Sequence, residues 1–277
     1  MSLQTFPGLI QGSDEWHDQR RGMVTASTVG RLISVRHIGA GEVACPSCDA
    51  PAGDPCRSKV KRDGVEGAPI KTAHTERTVY ASANRDSHPP VVEPASGDEA
   101  RGFTALITAE RITGYTDPTY INDDMLRGIE DEPLAIDVYS EHYAPVTTIG
   151  FMVRDDWGFK IGYSPDGLVG DDGLIEVKSR RQKTQLTTIV SGEVPVDNMA
   201  QLQCGLLVSG RKWCDYVTYC GGMPMWVKRV TPDPYWFEAI LAAVEKFEKA
   251  SADMRATYNK AIEGFPMTRR IDLEMVI

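Results

Sequence analysis

The sequence lacks an uninterrupted apolar run close to the roughly 18 residues that a membrane-spanning helix requires. Its first residues, MSLQTFPGLIQGSDEW, lack the basic segment and apolar stretch of a signal peptide. It also lacks an excess of positive charge: 30 Lys and Arg face 39 Asp and Glu, giving a net charge of -9. These absences predict a cytoplasmic protein whose surface as a whole does not attract nucleic acid. A local DNA-binding groove is still compatible with them, because a carboxylate metal site itself adds negative charge.

The 277 residues, 42% hydrophobic and 25% charged, suffice for a sizeable core. Residues 12–34 are typical of a short helix, a glycine break and a second helix capped near Thr25 or Ser27. Helical periodicity recurs in three further places and in a long amphipathic C-terminal segment: 98–115, 122–143, 196–210 and 233–265. Strand-length apolar pieces fill most of 147–180 and 214–230. The pattern predicts an α/β or α+β fold, with helices flanking a mixed central sheet.

In the stretch IGYSPDGLVGDDGLIEVKSR, the charged residues Asp166, Glu176 and Lys178 stand beside apolar residues around a tight turn. The Asp-Asp-Gly sequence predicts a hairpin of residues 164–170 and 174–179. Glu176 and Lys178 are two residues apart and project from one face of their strand, which Asp166 reaches from the neighbouring strand. Such hard oxygen ligands suit Mg²⁺ or Mn²⁺. A salt bridge on the surface of the hairpin is the alternative.

The string SPDGL…LIEVKS resembles the PD-(D/E)xK nuclease core, in the version found in the phage lambda-type exonuclease and YqaJ-like viral recombinase family. Three more stretches fit this family in the same order: GSDEWHDQRRGMVTAS, RGIEDEPLA and NMAQLQCGLLVSGRKWCDYVTY. The resemblance implies a Mg²⁺-dependent 5′-to-3′ exonuclease acting on double-stranded DNA ends, in the cytoplasm of a bacterial or phage-infected host cell. It further implies 3′ overhangs, a single-strand annealing protein as partner, and a ring-shaped homotrimer.

The resemblance also implies a set of site residues around the metal. They are the metal ligands Asp166, Glu176, Glu132 and the backbone carbonyl of Val177, the catalytic Lys178, and Gln201 beside the attacking water. Glu130 and Asp131 remain open as alternatives to Glu132. Glu110 is either a further acid near the site or a surface residue.

A terminal-phosphate pocket is implied by WHDQRRGMVTAS. Arg20 matches the family arginine that grips the 5′-phosphate, and Ser27 matches the hydroxyl beside it, while Arg21 is the alternative to Arg20. Arginine suits this role because its guanidinium meets phosphate with two parallel hydrogen bonds. Trp16 and His17 are expected to pack this helix against the core. The sequence departs from the lambda-type pattern at Asn198, where a tyrosine is expected.

A cysteine-rich stretch, CPSCDAPAGDPCRSKVKRDGVEGAPIKTAHTER, interrupts the nuclease motifs. Cys45, Cys48, Cys56 and His74 form a tetrahedral set suited to structural Zn²⁺, with a disordered loop as the alternative. Basic residues here are candidates for phosphate contacts: Arg57, Lys59, Lys61, Arg62, Lys71 and Arg77. The other cysteines, Cys204, Cys214 and Cys220, are predicted to be buried thiols.

The predicted organisation is a nuclease domain of residues 1–34 and 96–277, with an inserted zinc-binding module and linker at 35–95. Two rival functions remain open. One is an endonuclease or nickase with the same core. The other is a non-catalytic DNA-binding or assembly protein that depends on the zinc module.

Overall fold

A computed structural model describes residues 3–60, 67–118 and 120–270. Its strands are β1 (Leu3–Phe6), β2 (Val24–Thr25), β3 (Ile33–Arg36), β4 (Val91–Pro94), β5 (Val146–Thr147), β6 (Phe151–Arg154), β7 (Ile161–Tyr163), β8 (Gly167–Val169), β9 (Gly173–Ser179), β10 (Trp213–Tyr219) and β11 (Trp226–Val230). Its α-helices are α1 (Asp14–Arg20), α2 (Ala26–Val29), α3 (Thr75–Ala83), α4 (Asp98–Thr113), α5 (Asp123–His142), α6 (Gln182–Ser191), α7 (Val196–Ser209) and α8 (Pro234–Ala261). Within these ranges, no helix combines the length and apolarity needed to cross a bilayer.

Two sheets of mixed direction form the body of the fold. The larger has the strand order β11-β10-β9-β8-β5, and only its β9–β10 pair is parallel. The smaller has the order β1-β6-β7-β2, with β2 and β7 parallel. The predicted hairpin is present as β8 and β9, which pair antiparallel. Helices and mixed sheets confirm the predicted α/β (α+β) class.

Helix α7 forms the centre of the main core and touches both sheets. Leu202, Leu206 and Val208 of this helix are fully buried, and each such side chain contributes about 1.5–3 kcal/mol by leaving water. Gly205 lets the ring of Tyr163 in β7 lie directly against the helix, because an added Cβ would be 2.7 Å from that ring. The close packing fixes α7, which carries Gln201, against β7 of the smaller sheet.

The cysteine-rich segment leaves and re-enters the body through a two-stranded ribbon. Strands β3 and β4 pair antiparallel, with Arg36 opposite Val91. The ribbon is held on α8, where the Val92 N–H donates to the Tyr235 hydroxyl at 3.1 Å. The predicted module is therefore joined to the rest of the fold by paired strands, while its limits at 35 and 95 stay predictions.

Strand β1 and helix α6 are among the elements that the sequence patterns did not indicate. Strand β1 lies in a segment with little alternation, and α6, QKTQLTTIVS, is polar and rich in β-branched residues. Tertiary packing supplies what the local signal lacks, since Gln185 of α6 is fully buried and donates to the Pro224 carbonyl at 2.8 Å. The second predicted helix is confirmed as α2 with Thr25 at its N-terminal cap, although it has only four residues.

Candidate active site and candidate zinc site

The β8–β9 hairpin brings the predicted carboxylates and lysine together. Asp166 immediately precedes β8, and its Oδ2 accepts the Val177 N–H at 2.7 Å. The Lys178 Nζ lies 2.7 Å from Glu176 Oε1 on the same strand face. Glu176 is buried, so this arrangement is an internal cluster rather than the surface salt bridge that the sequence left open.

Gln201 of α7 completes the surroundings of the lysine. Its Oε1 accepts from Lys178 Nζ at 3.0 Å, and its Nε2 donates to Glu176 Oε1. Gln203, two residues further on, faces away and donates to the Thr231 carbonyl at 2.9 Å. The amide of Gln201 therefore bridges the cation and the carboxylate and fixes both.

Helix α5 places one of its three candidate acids in the same cavity. Glu132 lines it, together with the hairpin residues. Asp131 instead accepts a hydrogen bond from the Ser179 hydroxyl at 2.6 Å. Glu130 is exposed on the outer face of the helix. The geometry thus favours Glu132 over Glu130 and Asp131 as the acid that faces the cavity, a choice that the sequence left open.

Three carboxylates, those of Asp166, Glu176 and Glu132, lie near Lys178 in the cavity, and the lysine alone does not neutralise their charge. Burial, followed by the nearby charges of Glu176 and Glu132, raises the pKa of Asp166 well above its ordinary value. Burial and Glu176 likewise raise the pKa of Glu132. Burial opposes the charge of Lys178, but the two hairpin carboxylates outweigh it and raise its pKa. The ionised forms of Asp166 and Glu132 are therefore electrostatically unfavourable, and a divalent cation would relieve this.

The donor set fits Mg²⁺ or Mn²⁺. The Oε2 atom of Glu176 is buried and has no hydrogen-bond partner among the described residues, although such an atom is normally satisfied. With Asp166, Glu132 and the Val177 carbonyl it forms an all-oxygen set, which hard divalent cations prefer. These are the residues that would hold the metal.

A basic pocket opens into the same cavity, whose volume is about 190 Å³. The Arg20 Nη2 lies 3.2 Å from both the Thr25 and Ser27 hydroxyls, and its guanidinium stacks 4.1 Å above the Trp16 ring. Arg21 instead pairs with Asp18 on the helix surface. The structure thus brings Arg20 and Ser27 together, and not Arg21.

Trp16 and Thr25 are pocket residues that sequence reasoning did not assign to the site. Trp16 is buried as predicted, yet it also lines the cavity and donates through Nε1 to the Ser164 hydroxyl at 2.8 Å. Its i, i+4 spacing from Arg20 was the available signal. His17 is exposed and its ring meets the neighbouring Trp16 ring, so the prediction that it packs the helix against the core is wrong.

Two residues that the sequence left uncertain lie just behind the cavity. Glu110 is buried and accepts the Gly22 N–H at 2.9 Å, so it is neither a surface residue nor part of the cavity lining among the described residues. Asn198 Oδ1 accepts from Arg180 at 2.6 Å and from the Tyr216 hydroxyl at 2.9 Å. Tyr216 of β10 thus brings an aromatic hydroxyl against Asn198.

The four predicted zinc ligands converge in the cysteine-rich segment. The ligand atoms of Cys45, Cys48, Cys56 and His74 all lie within 4.8 Å of one another. A hydrogen bond from the His74 backbone N–H, assisted by Arg77, lowers the pKa of the Cys56 thiol to about 7. Three thiols and one imidazole form the closed set of a structural zinc site, and the disordered-loop alternative is not what the fold shows.

The prediction that Arg77 contacts DNA phosphate is wrong. Its side chain is buried and donates to the carbonyls of Val43, Asp54 and Pro51 at 2.9, 2.7 and 2.8 Å. These hydrogen bonds join loops that have little apolar core, and they use the guanidinium N–H groups that would otherwise bind a phosphate. Lys59 pairs with Glu76 at 3.2 Å, and Lys71 is exposed.

Two other candidate phosphate contacts, Lys61 and Arg62, lie outside the described residues. The remaining cysteines, Cys204, Cys214 and Cys220, are buried in the body of the fold, as predicted.

Two family models match the chain in adjacent stretches. Residues 103–212 match the YqaJ-like viral recombinase domain, which spans the hairpin, Glu132 and Gln201. Residues 11–95 match a phage zinc finger domain, and this match begins early enough to include Arg20 as well as the zinc ligands. No curated relative matches the chain closely enough to extend this comparison.

Solved structures share the fold over nearly the whole chain. An alkaline exonuclease from Laribacter hongkongensis superposes with a TM-score of 0.63 and 24% identity, covering 91% of this chain and 99% of that one. The structure of the same exonuclease in complex with dAMP gives a TM-score of 0.62, also at 24% identity and with the same coverage. At this identity, the comparison shows that the fold is that of an alkaline exonuclease.

Proposed function

We propose that this protein is a metal-dependent nuclease that digests one strand of duplex DNA from its 5′ end. The match to the YqaJ-like viral recombinase domain, the match to the phage zinc finger domain and the fold shared with an alkaline exonuclease support the proposal. The observation that carries the proposal is the shared cavity, which holds both the carboxylate cluster and the Arg20 pocket. An enzyme that cuts within a strand has little use for a terminal-phosphate pocket, so the geometry favours an exonuclease over an endonuclease or nickase.

Arg20 binds the terminal 5′-phosphate, assisted by the Thr25 and Ser27 hydroxyls. This contact holds the first nucleotide so that the next phosphodiester lies against Asp166 and Glu176. The product class fits, since the similar alkaline exonuclease has been solved with dAMP, a deoxynucleoside monophosphate.

Hydrolysis transfers the phosphoryl group to water. The water oxygen bonds to phosphorus, the bond from phosphorus to O3′ of the terminal nucleotide breaks, and O3′ takes up a proton. When bound by the carboxylates, Mg²⁺ or Mn²⁺ supplies charge stabilisation and an activated water. Lys178 orients that water and stabilises the developing negative charge, and Gln201 fixes the lysine. The shortened strand again ends in a 5′-phosphate, which Arg20 can bind in the next round.

We expect Lys178→Ala to lower kcat on the order of a hundredfold, because it removes a donor to the charge that develops in the transition state. The measurement is single-turnover digestion of a linear duplex at saturating Mg²⁺. Lys212→Ala is the matched control, since Lys212 is an exposed lysine paired with Asp172 in the hairpin turn. Equal rates for the two variants would remove Lys178 from the chemistry.

Replacing Arg20 by alanine should erase the preference for 5′-phosphorylated over 5′-hydroxyl ends, a loss of about tenfold or more in the ratio of kcat/KM. Arg21→Ala should keep that preference, because Arg21 pairs with Asp18 outside the cavity. If only Arg21→Ala lost the preference, the phosphate pocket would belong to Arg21 and the assignment to Arg20 would be wrong.

The proposal includes further steps that follow from 5′-to-3′ digestion. The undigested strand remains as a 3′ overhang, the substrate of a single-strand annealing protein acting in the same bacterial or phage-infected cytoplasm.

Two further features of the proposal concern how the enzyme holds DNA. A homotrimeric ring around DNA would retain the enzyme on its substrate between cuts. The zinc module adds a DNA contact through basic residues such as Lys71, which is exposed.

Linear and covalently closed circular DNA, each incubated with Mg²⁺, test the proposed function. We expect the linear duplex to be degraded and the closed circle to survive. Cleavage of the circle would favour the endonuclease, and survival of both substrates would favour a non-catalytic DNA-binding protein.

A further inference from the structure

The turn that follows Arg20 is held from both sides by two consecutive residues of α4. Arg21 has φ -57° and ψ 133°, Gly22 has φ +68°, and the Met23 N–H donates to the Arg20 carbonyl at 3.2 Å. These are the features of a type II turn, in which the third residue is normally glycine. Arg20 stands at the start of this turn, and Thr25 follows closely after it.

Side chains of helix α4 form hydrogen bonds to both the N–H and the carbonyl of Gly22. The Gly22 N–H donates to Glu110 Oε2 at 2.9 Å, and Arg111 Nε donates to the Gly22 carbonyl at 2.6 Å. A Cβ added to Gly22 would lie 2.8 Å from Arg111 Cγ, so the arginine also closes the space beside the turn. We call Gly22, Glu110 and Arg111 the turn clamp.

The turn clamp is anchored to the body of the protein. Arg111 forms a two-pronged ion pair with Glu248 of α8, with both N–O distances 2.6 Å, and its guanidinium stacks 5.0 Å from the Phe247 ring. A carboxylate held in this way keeps the arginine in one orientation. Helix α8 therefore fixes α4, and α4 fixes the turn.

We propose that the turn clamp positions Arg20 and its hydroxyl partners for the terminal phosphate, and that Glu110 is its decisive positioning residue. Glu110 acts on Arg20 in two ways. It holds the turn through Gly22, and its negative charge supports the protonated guanidinium, whose pKa is otherwise lowered by burial. This inference rests on the proposed function, because it concerns how the same cavity recognises a 5′-phosphate. Displacing a binding group by about 1 Å can cost as much as a hundredfold in rate.

The test is the ratio of kcat/KM for 5′-phosphorylated over 5′-hydroxyl duplexes. We expect Glu110→Ala to lower this ratio about tenfold, mainly through KM on phosphorylated ends. Glu110→Gln should retain most of it, since its amide oxygen can still accept the Gly22 N–H. Thr104→Val is the matched control. It removes a buried hydroxyl of α4 that donates to the Ala100 carbonyl at 2.8 Å, away from the turn and from the side chain of Arg111. It should leave the ratio unchanged.

The outcomes separate the clamp from the function on which it rests. A wild-type preference that survives in Glu110→Ala would overturn the clamp alone, as would an equal loss in Thr104→Val. A loss in Glu110→Gln as large as in Glu110→Ala would refute the role of the hydrogen bond to Gly22. A wild-type protein that digests both ends equally would overturn the phosphate pocket itself, and with it the role of the clamp.

Discussion

Asp166→Asn will abolish Mg²⁺-dependent digestion, lowering the rate by at least about a hundredfold. The substitution keeps the shape of the side chain and an oxygen that accepts the Val177 N–H, but it removes one charge from the metal-binding set. The same variant should be at least as thermally stable as the wild type without metal. Burial and the charges of Glu176 and Glu132 disfavour the ionised form of Asp166 and raise its pKa in the folded protein. Because this carboxyl is more acidic in the unfolded chain, its ionisation near neutral pH lowers the free energy of unfolding, and the asparagine removes that cost.

Activity and thermal unfolding, each measured with EDTA and with Mg²⁺, check both expectations. Asp171→Asn is the matched control because Asp171 is an exposed carboxylate in the turn of the same hairpin. Mg²⁺ should raise the unfolding temperature of the wild type and of Asp171→Asn, and should leave that of Asp166→Asn nearly unchanged. Full activity in Asp166→Asn would remove the hairpin from the catalytic site.

Protein purified without added metal should contain one zinc per chain, and a Cys48→Ser, Cys56→Ser double variant should contain none. Zinc bound to small modules of this type contributes about 10–16 kcal/mol, and the module's own buried cluster consists mainly of cysteines and alanines. Loss of zinc should therefore unfold the segment between β3 and β4. Elemental analysis and limited proteolysis measure the two effects.

The proposed catalytic residues lie outside this segment, so the double variant should still digest short duplexes. Cys220→Ser is the control, since Cys220 is buried in the body of the fold and should not affect zinc content. Zinc that persists in the double variant, or a zinc-free wild type, would show that the four side chains converge without binding a metal.

The hairpin site was predictable because its residues obey local rules. Glu176 and Lys178 share a strand face by period-two geometry, and the Asp-Gly turn fixes which strand pairs with them. The convergence of Cys45, Cys48, Cys56 and His74 was likewise predictable from their spacing. The choice among Glu130, Asp131 and Glu132 was not, because a helix presents consecutive residues at different angles and only the packing of α5 decides which one faces the cavity.

Long-range contacts account for what the sequence did not reveal. Glu110 meets Gly22 across 88 positions, and nothing in either stretch indicates the contact. Arg77 was misread because a basic residue in a glycine- and proline-rich segment is usually solvated, whereas here the module lacks an apolar core and the arginine replaces it. Helix α6 escaped prediction because its buried face contains Gln185 and Thr188 rather than large apolar residues.

A linear duplex that carries separate labels at the 5′ and 3′ ends of one strand, with the 5′ end phosphorylated, tests the central claim most directly. With Mg²⁺, the account predicts that the 5′ label appears first, as a mononucleotide, while the 3′ label remains on a progressively shorter strand. Earlier release of the 3′ label, or internal fragments that carry neither label, would contradict an exonuclease that grips the 5′-phosphate through Arg20.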